Sequence, residues 1–478
     1  MLEGQTNIFE MLYPTYKITK KIRMITFFSG YDSQCLAMKY LGVDYEHYKT
    51  CEWAVKSIQA LKDIHFEEDT KDYSKDLEIW QIKEFLFSKG ISSNYNEPMS
   101  MAQINRLNEK QARTIYNNIQ ATHNLVNIQQ VKGKDLCITD TDKFTYLLTY
   151  SFPCQDLSLA GNRKGMSDTS TRSGMLWEVE RILTECKELG TLPEVLLMEN
   201  VIQVHGADNV EDFNKWQLRL EELGYKNYWQ DLIATDYGIP QTRNRTFMVS
   251  ILGDYNYTFP KPVPLKLKLK DMLEDNVDEK YYLSDKMMNY MMSESFGGIS
   301  RKEMFERNFN KQYDVASTIT TMAGQRASDN FIKVKNNTKK GYLEATDGDG
   351  IDLTQPNSET RRGRVQKETI QTLTTQNNLG VAVKTIGNYS PSNHNASRIV
   401  DQDYCSPTVM ENHGTITATQ TSDLRIRKLT PRECGRLMAV NDEDITKLLK
   451  NQSDSSAYHL FGDSIVIEVL KHIFKEMI

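Results

Sequence analysis

The chain has 478 residues, 39% of them hydrophobic and 26% charged, with a formal net charge of −6. This length accommodates two or three domains with separate cores, and the composition is that of a soluble globular protein. No apolar run is long enough to span a bilayer, and the N-terminus lacks the features of a secretory signal, so a membrane protein is not expected.

The first organised segment is RMITFFSGYDSQCLAMKYLG. A β-rich run over residues 24–28 meets a small-residue turn and then a helix-compatible stretch. The next apolar segment is short and ends in Cys51-Glu52-Trp53. Strand, turn, helix and strand in this order open a parallel α/β sheet. Residues 57–126 are rich in Lys, Asp and Glu with apolar residues three and four apart, which predicts a helical insertion. The α/β rhythm then resumes: TYLLTYSF reads as a buried strand, GMLWEVERILTECKEL as a helix, EVLLMENV as a strand, FNKWQLRLEELG as a helix and RTFMVSIL as a strand.

After about residue 254, Thr, Asn, Gly and Ser dominate. Three segments echo one another: DVASTITTMAGQRASDNF, GRVQKETIQTLTTQNNLGVAV and SRIVDQDYCSPTVMENHGTI. Each reads as β-hairpin material. Basic residues outnumber acidic ones over 301–345 and again over 361–398. The negative net charge therefore hides a local basic surface or a solvated loop region. Helical patterns return from about Arg425. The expected fold is α/β, with a Rossmann-like sheet built from both ends of the chain and a second, smaller, irregular β-rich domain between them. The boundaries read as 1–23 (N-terminal extension), 24–253 (α/β domain), 254–424 (β-rich domain) and 425–478 (return to the α/β domain).

Seven scattered cysteines without a CxxC pair argue against a zinc site or a disulfide framework and fit a reducing cytoplasm. Most are expected to be small buried hydrophobes. Cys154 has neighbours that suggest chemistry, because SFPCQDLS places it after a Pro at the end of a buried strand, where a parallel sheet opens onto its active edge, although a Cys taken alone is more often a buried structural residue. Glu199 ends the next strand at the same edge. Partial burial there would suit it to hold a proton, although a strand-end Glu is more often a cap or a surface residue. In QTRNR, Arg243 and Arg245 repeat at the two-residue period of an extended segment, which suits phosphate or base contacts or an exposed charged strand. The FSGYDSQ turn, with acidic Glu52 at the end of the second strand, suits a nucleotide-type cofactor, although its single Gly is a poor signal alone.

In combination and order, SGYDSQ, CEW, SFPCQ, MENV, QTRNR, RKLTPRECGRLM and FGDS resemble the DNA cytosine-5 methyltransferase family, of the bacterial or phage restriction-modification type. The resemblance covers about residues 24–60, 125–250 and 425–478. It implies transfer of a methyl group from S-adenosylmethionine (product S-adenosylhomocysteine) to carbon 5 of a flipped cytosine in double-stranded DNA, without metal. Cys154 would be the nucleophile and Glu199 the carboxylate on the base. Arg245 would hold the base carbonyl, with Arg243 nearby for a phosphate or the loop. Phe28, Gly30, Glu52, Trp53, Gln130, Ser151, Leu176, Asp463 and Ser464 would line the cofactor pocket. Gln155, Ser158, Arg163, Lys164, Arg172, Gln241 and Arg243 would meet DNA, with 158–174 as the segment closing over the base and 254–424 as the target-recognition domain.

Three positions depart from the family pattern. Asp32 stands where a second glycine is usual, Gln130 (or Asp135) replaces the Asp at the adenine, and Asp463 replaces the usual Asn. The resemblance further implies a monomer in a bacterial or phage-infected cytoplasm, with a cognate restriction endonuclease as a partner or a role in evading restriction. The three echoing segments raise the hypothesis that more than one target is read. Two other readings share the motifs: a tRNA cytosine-5 methyltransferase and a catalytically silent DNA-binding homologue.

Overall fold

The computed structural model describes residues 13–153, 173–281 and 429–478, together with short strands between 295 and 428. It divides into two compact units, Met1–Lys266 with Cys434–Ile478, and Leu267–Glu433.

The first unit is built on a six-stranded sheet of β1 (Lys21–Phe27), β2 (Tyr45–Cys51), β3 (Phe144–Tyr150), β4 (Val195–Val201), β5 (Tyr225–Ile233) and β6 (Asn244–Leu252), ordered β2-β1-β3-β4-β6-β5. β1 to β4 pair in parallel. β6 runs antiparallel to both β4 and β5, so the sheet is mixed where the sequence suggested a parallel one. The reason is the connection: the link from β5 to β6 contains only a 3-10 turn (Ala234–Asp236), without the helix that a parallel crossover requires. β5 itself is not legible as an apolar run. YKNYWQDLI is largely half-exposed, as an edge strand allows.

The helices are α1 (Ser33–Leu41), α2 (Val55–His65), α3 (Ile79–Lys89), α4 (Met101–Arg106), α5 (Glu109–Ala121), α6 (Leu176–Glu188), α7 (Val210–Leu223), α8 (Pro431–Leu437), α9 (Asp442–Leu449), α10 (Asp454–Asp463) and α11 (Ile467–Lys475). α11 shows why the C-terminus returns to the sheet. Ile467, Leu470, Ile473 and Phe474 recur at helical spacing and are all fully buried, and the helix packs against α1. The main core runs under the sheet through Phe27, Leu148, Tyr150, Met198 and Trp216, whose indole N–H donates to the Tyr150 hydroxyl at 3.0 Å. Burying each of these large side chains contributes roughly 1.5–3 kcal/mol.

Helices α2 to α5 form the insertion, with a core of their own around Ile58, Ile82, Leu86, Ile104 and Ile119. Ser100 with Gln103 and Asn108 with Gln111 make reciprocal capping boxes that set the starts of α4 and α5.

The domain boundaries differ from those read in the sequence. Residues before 24 are not a mere extension: Tyr16 is buried, Thr15 bridges Asn256, and the Ile18 amide donates to the Met477 carbonyl at 2.6 Å. Residues 254–266 also stay with the first unit, where Tyr257 is buried and the Tyr237 hydroxyl donates to the Pro260 carbonyl. These are long-range contacts that no local pattern announces.

In the second unit, Lys333–Lys335 pairs with Tyr342–Glu344, Gly350–Asp352 pairs with Val365–Gln366 and Leu379–Val381, and Thr385–Asn388, Arg398–Val400, Ala418–Gln420 and Ile426–Lys428 form a four-stranded sheet. Two of the echoing segments contain such strands. The first, over 314–331, lies outside the described residues. Among the described residues, no helix is long and apolar enough to cross a membrane.

Candidate active site

Among the described residues, the turn after β1, Glu52, Ser151, Glu199 and Arg245 lie where β1 to β4 end and the antiparallel β6 begins. The turn after β1 is held in unusual backbone geometry. Phe28 has φ 56° and donates its amide to the Cys51 carbonyl at 2.9 Å. Gly30 has φ 57°, and a Cβ built there would meet nothing within 4 Å, so open space lies over the turn.

The Gly30 amide donates to Glu52 Oε2 at 2.9 Å, and the Ala54 amide donates to Oε1 at 2.7 Å. Burial pushes the Glu52 carboxyl up to about 7, against the opposing pull of those amides. Asn124 fixes the same strand end: it accepts from the Glu52 amide at 3.0 Å and donates to the Glu52 carbonyl at 2.9 Å. Sequence reading missed Asn124, whose partners lie 72 residues away. Trp53 is half-buried and packs on the core of the insertion.

Asp32 also has a left-handed backbone (φ 61°), where glycine is the easy choice. Its carboxylate points away from the open turn and is completely buried. Oδ1 accepts from the Cys35 amide at 3.1 Å and caps α1, Oδ2 accepts from Thr26 Oγ1 at 2.7 Å, and His47 Nε2 lies 2.8 Å from Oδ2. The His47 contact is an ion-pair distance without hydrogen-bond alignment. Burial raises the Asp32 pKa, but His47 and the hydroxyl outweigh it and hold the carboxyl below its ordinary value. Asp32, Cys35 and His47 could in principle gather a cation. The close Asp32–His47 approach and the filled carboxylate instead make this an internal contact of the fold.

Gln130 is exposed, whereas Asn127, three residues earlier, is buried with its amide beside Gly90. Asn127 is thus a better-enclosed polar group on this loop than the residue chosen from sequence. Asp135 caps a 3-10 turn by accepting from the Lys132 amide.

On the other side of the edge, Ser151 follows β3 and donates to Glu199 Oε2 at 2.5 Å. Glu199 is 4% exposed. Arg245 Nε lies 3.3 Å from Glu199 Oε1, an ion pair that leaves Oε1 without a hydrogen-bonded partner. Asn200 Nδ2 donates to the Phe152 carbonyl at 3.0 Å and ties the ends of β3 and β4 together just before Pro153. The described chain stops at Pro153, so Cys154, Gln155, Ser158, Arg163, Lys164 and Arg172 lie outside it.

Two expected DNA contacts are corrected. Gln241 is completely buried and donates to the Leu437 carbonyl at 2.8 Å. Arg243 is 4% exposed and donates to the Ser464 carbonyl at 2.7 Å. Both side chains therefore serve inside the unit, joining the start of β6 to the C-terminal segment. Ser464 also shares a 2.7 Å hydrogen bond with the Tyr31 hydroxyl. Asp463 is half-exposed, with its Oδ2 3.3 Å from His459 Nε2. Leu176 begins α6 and is fully buried in the main core.

The edge thus holds two sub-sites. One is an open turn flanked by a buried carboxylate, an arrangement that suits a nucleoside cofactor. The other is a carboxylate–guanidinium pair beside the chain entering Pro153-Cys154.

Residues 90–478 match the family described as C-5 cytosine-specific DNA methylase. The orphan methyltransferase M.SssI of Spiroplasma monobiae is 37% identical over 278 residues, which span 58% of this chain and 70% of that protein. The orphan methyltransferase M.SPRI of Bacillus phage SPR is 27% identical over 391 residues, spanning 70% and 82%. The crystal structure of the S. pombe Dnmt2 methyltransferase superposes with a TM-score of 0.50 at 14% identity, over 95% of this chain and 97% of that one, and so shares the fold.

Proposed function

The chain belongs to the C-5 cytosine-specific DNA methylase family, and on that premise we propose that it methylates cytosine in duplex DNA through a covalent adduct to Cys154. The observation that carries this reading is the Ser151–Glu199–Arg245 cluster at the mouth of the strand that leads to Pro153-Cys154.

Cytosine carbon 5 is a poor nucleophile. Addition of the Cys154 thiolate to carbon 6 breaks the 5,6 double bond and leaves electron density on carbon 5. S-adenosylmethionine, when bound, supplies an electrophilic methyl group. Glu199 suits the stabilisation of the adduct, because its Oε1, ion-paired with Arg245 but not hydrogen-bonded, can share a proton with the ring nitrogen while Ser151 and Arg245 hold the carboxylate in place. Arg245 also offers N–H donors to the base carbonyl. Loss of the carbon 5 proton then restores the double bond and expels the Cys154 thiolate. The reacting carbon lies inside a duplex, so the base must leave the stack, which takes a few kcal/mol supplied by DNA contacts.

Phe28, Gly30, Glu52 and Trp53 would hold the cofactor, with the Glu52 carboxylate accepting from the ribose hydroxyls. Asp32 caps α1 and turns toward His47 inside the protein, so its carboxylate does not face the open turn. The second unit, with its basic segments, is the target-recognition domain in this reading. A monomer, a restriction partner and a metal-free reaction complete the proposal.

The test is methyl transfer from labelled S-adenosylmethionine to mixed-sequence duplex DNA and to tRNA. Label in DNA, abolished by Cys154→Ser with DNA binding retained, is the expected result. Label in tRNA alone would move the activity to RNA. No label in either would make the chain a silent DNA-binding homologue.

A further inference from the structure

The helical insertion has no role in the reaction described above, yet one of its loops reaches the cofactor edge. Four segments meet there in a closed ring. The Gly30 amide binds Glu52 and joins the turn after β1 to the end of β2. That strand end joins the insertion through two backbone hydrogen bonds, from the Ser92 amide to the Trp53 carbonyl at 2.8 Å and from the Val55 amide to the Ser92 carbonyl at 2.9 Å. The insertion joins α10 through Tyr95, whose ring lies 3.8 Å from that of His459, centroid to centroid. α10 ends at Asp463, and Ser464 returns to the turn through the Tyr31 hydroxyl. Three of these segments are the cofactor-binding residues of the proposed reading. The fourth, residues 92–97, comes from the insertion.

Tyr95 is held at φ 63°, a left-handed backbone that disfavours a bulky side chain. The loop is shaped to keep it there. Ser92 Oγ donates to the Glu97 carbonyl at 2.8 Å, and Asn94 Oδ1 accepts from the Asn96 and Glu97 amides at 3.0 and 3.2 Å. Strain maintained by a built loop marks a side chain placed for a purpose. Packing of the insertion does not supply that purpose, because Tyr95 lies outside the apolar core formed by α2 to α5.

We propose that Tyr95, packed against His459, is a positioning residue that completes the cofactor pocket and raises affinity for S-adenosylmethionine and S-adenosylhomocysteine. The proposal rests on the methyltransferase reading and assigns the insertion a task within it: closing the fourth side of the pocket.

The test is calorimetric titration of the full chain with S-adenosylhomocysteine, alongside steady-state kinetics. Tyr95→Ala should weaken binding roughly three- to tenfold, the range expected for loss of an aromatic pair. It should raise KM for S-adenosylmethionine by a similar factor and leave kcat at saturation unchanged. Tyr95→Phe should retain wild-type affinity. Should Tyr95→Ala fail to fold, Tyr95→Leu is read by the same criteria. Unchanged affinity in the folded variant would overturn the proposal, as would a fall in kcat with KM unchanged. A wild-type chain that binds no S-adenosylhomocysteine would instead overturn the methyltransferase reading beneath it.

Discussion

Replacing Asp32 with Gly restores the residue usual in the family's cofactor turn, and the structure predicts that the protein is worse for it. The left-handed backbone at φ 61° and ψ 63° favours glycine, by about 1–2 kcal/mol at most and less for an Asp. Against this, the substitution removes the α1 cap on the Cys35 amide, a contribution of about 1 kcal/mol. It also strands His47, whose side chain is 9% exposed, and Thr26 without their carboxylate. Removing one partner of a buried pair destabilises by roughly 3–5 kcal/mol. The net loss is about 2–5 kcal/mol, which lowers the melting temperature of a unit this size by roughly 3–8 °C. Calorimetry of Asp32→Gly and Asp32→Asn at neutral pH measures it, with Asn intermediate because it keeps the cap and loses the charge. The Asp32 carboxyl is lowered in the fold, so its contribution is present above the ordinary Asp range and is lost as pH falls through the lowered value. The acid limb of wild-type stability should therefore flatten in Asp32→Asn. A glycine variant melting at or above wild type would refute the reasoning, since backbone relief would then outweigh the lost cap and the Asp32–His47 contact.

Glu52 gives a prediction of opposite sign. Its folded pKa is raised to about 7, so its contribution to the stability of the ligand-free protein is complete below about 4.5 and lost as pH rises through 7. Glu52→Gln should remove that slope from a melting-temperature profile between pH 5 and 8; an unchanged slope would show that the carboxyl titrates normally. Affinity for S-adenosylhomocysteine should rise over the same window in wild type, as the ionised carboxylate accepts the ribose hydroxyls, and stay low and flat in Glu52→Gln. Gly133→Ala tests packing away from the site. The added Cβ would lie 2.8 Å from the Cys186 amide nitrogen, a backbone atom that cannot turn aside, and 2.9 Å from Glu185 Cβ. Destabilisation of about 1–3 kcal/mol is expected, and an unchanged melting temperature would contradict it.

The chain order of short motifs determined the family, because Cys-Gln after a strand, Glu-Asn-Val after the next and the Arg pair before a third are local patterns tied to strand ends. Local patterning also revealed β1, β3, β4 and β6, whose buried apolar runs are legible without partners, and the helical character of the insertion. Sequence alone could not decide what individual polar residues face, since that depends on partners far along the chain. Arg243 and Gln241 read as DNA contacts, yet they hold the C-terminal segment about 200 residues on. Asp32 read as a departure from the family's cofactor turn, yet it turns inward to His47. Asn124 was invisible until β2 met it. β5 lacked an apolar signature because an edge strand buries little, and only its pairing with β6 defines it. Residue types at spacings record what a strand end can do chemically. Which of those polar groups is left facing the substrate is decided by hydrogen bonds closed across the fold.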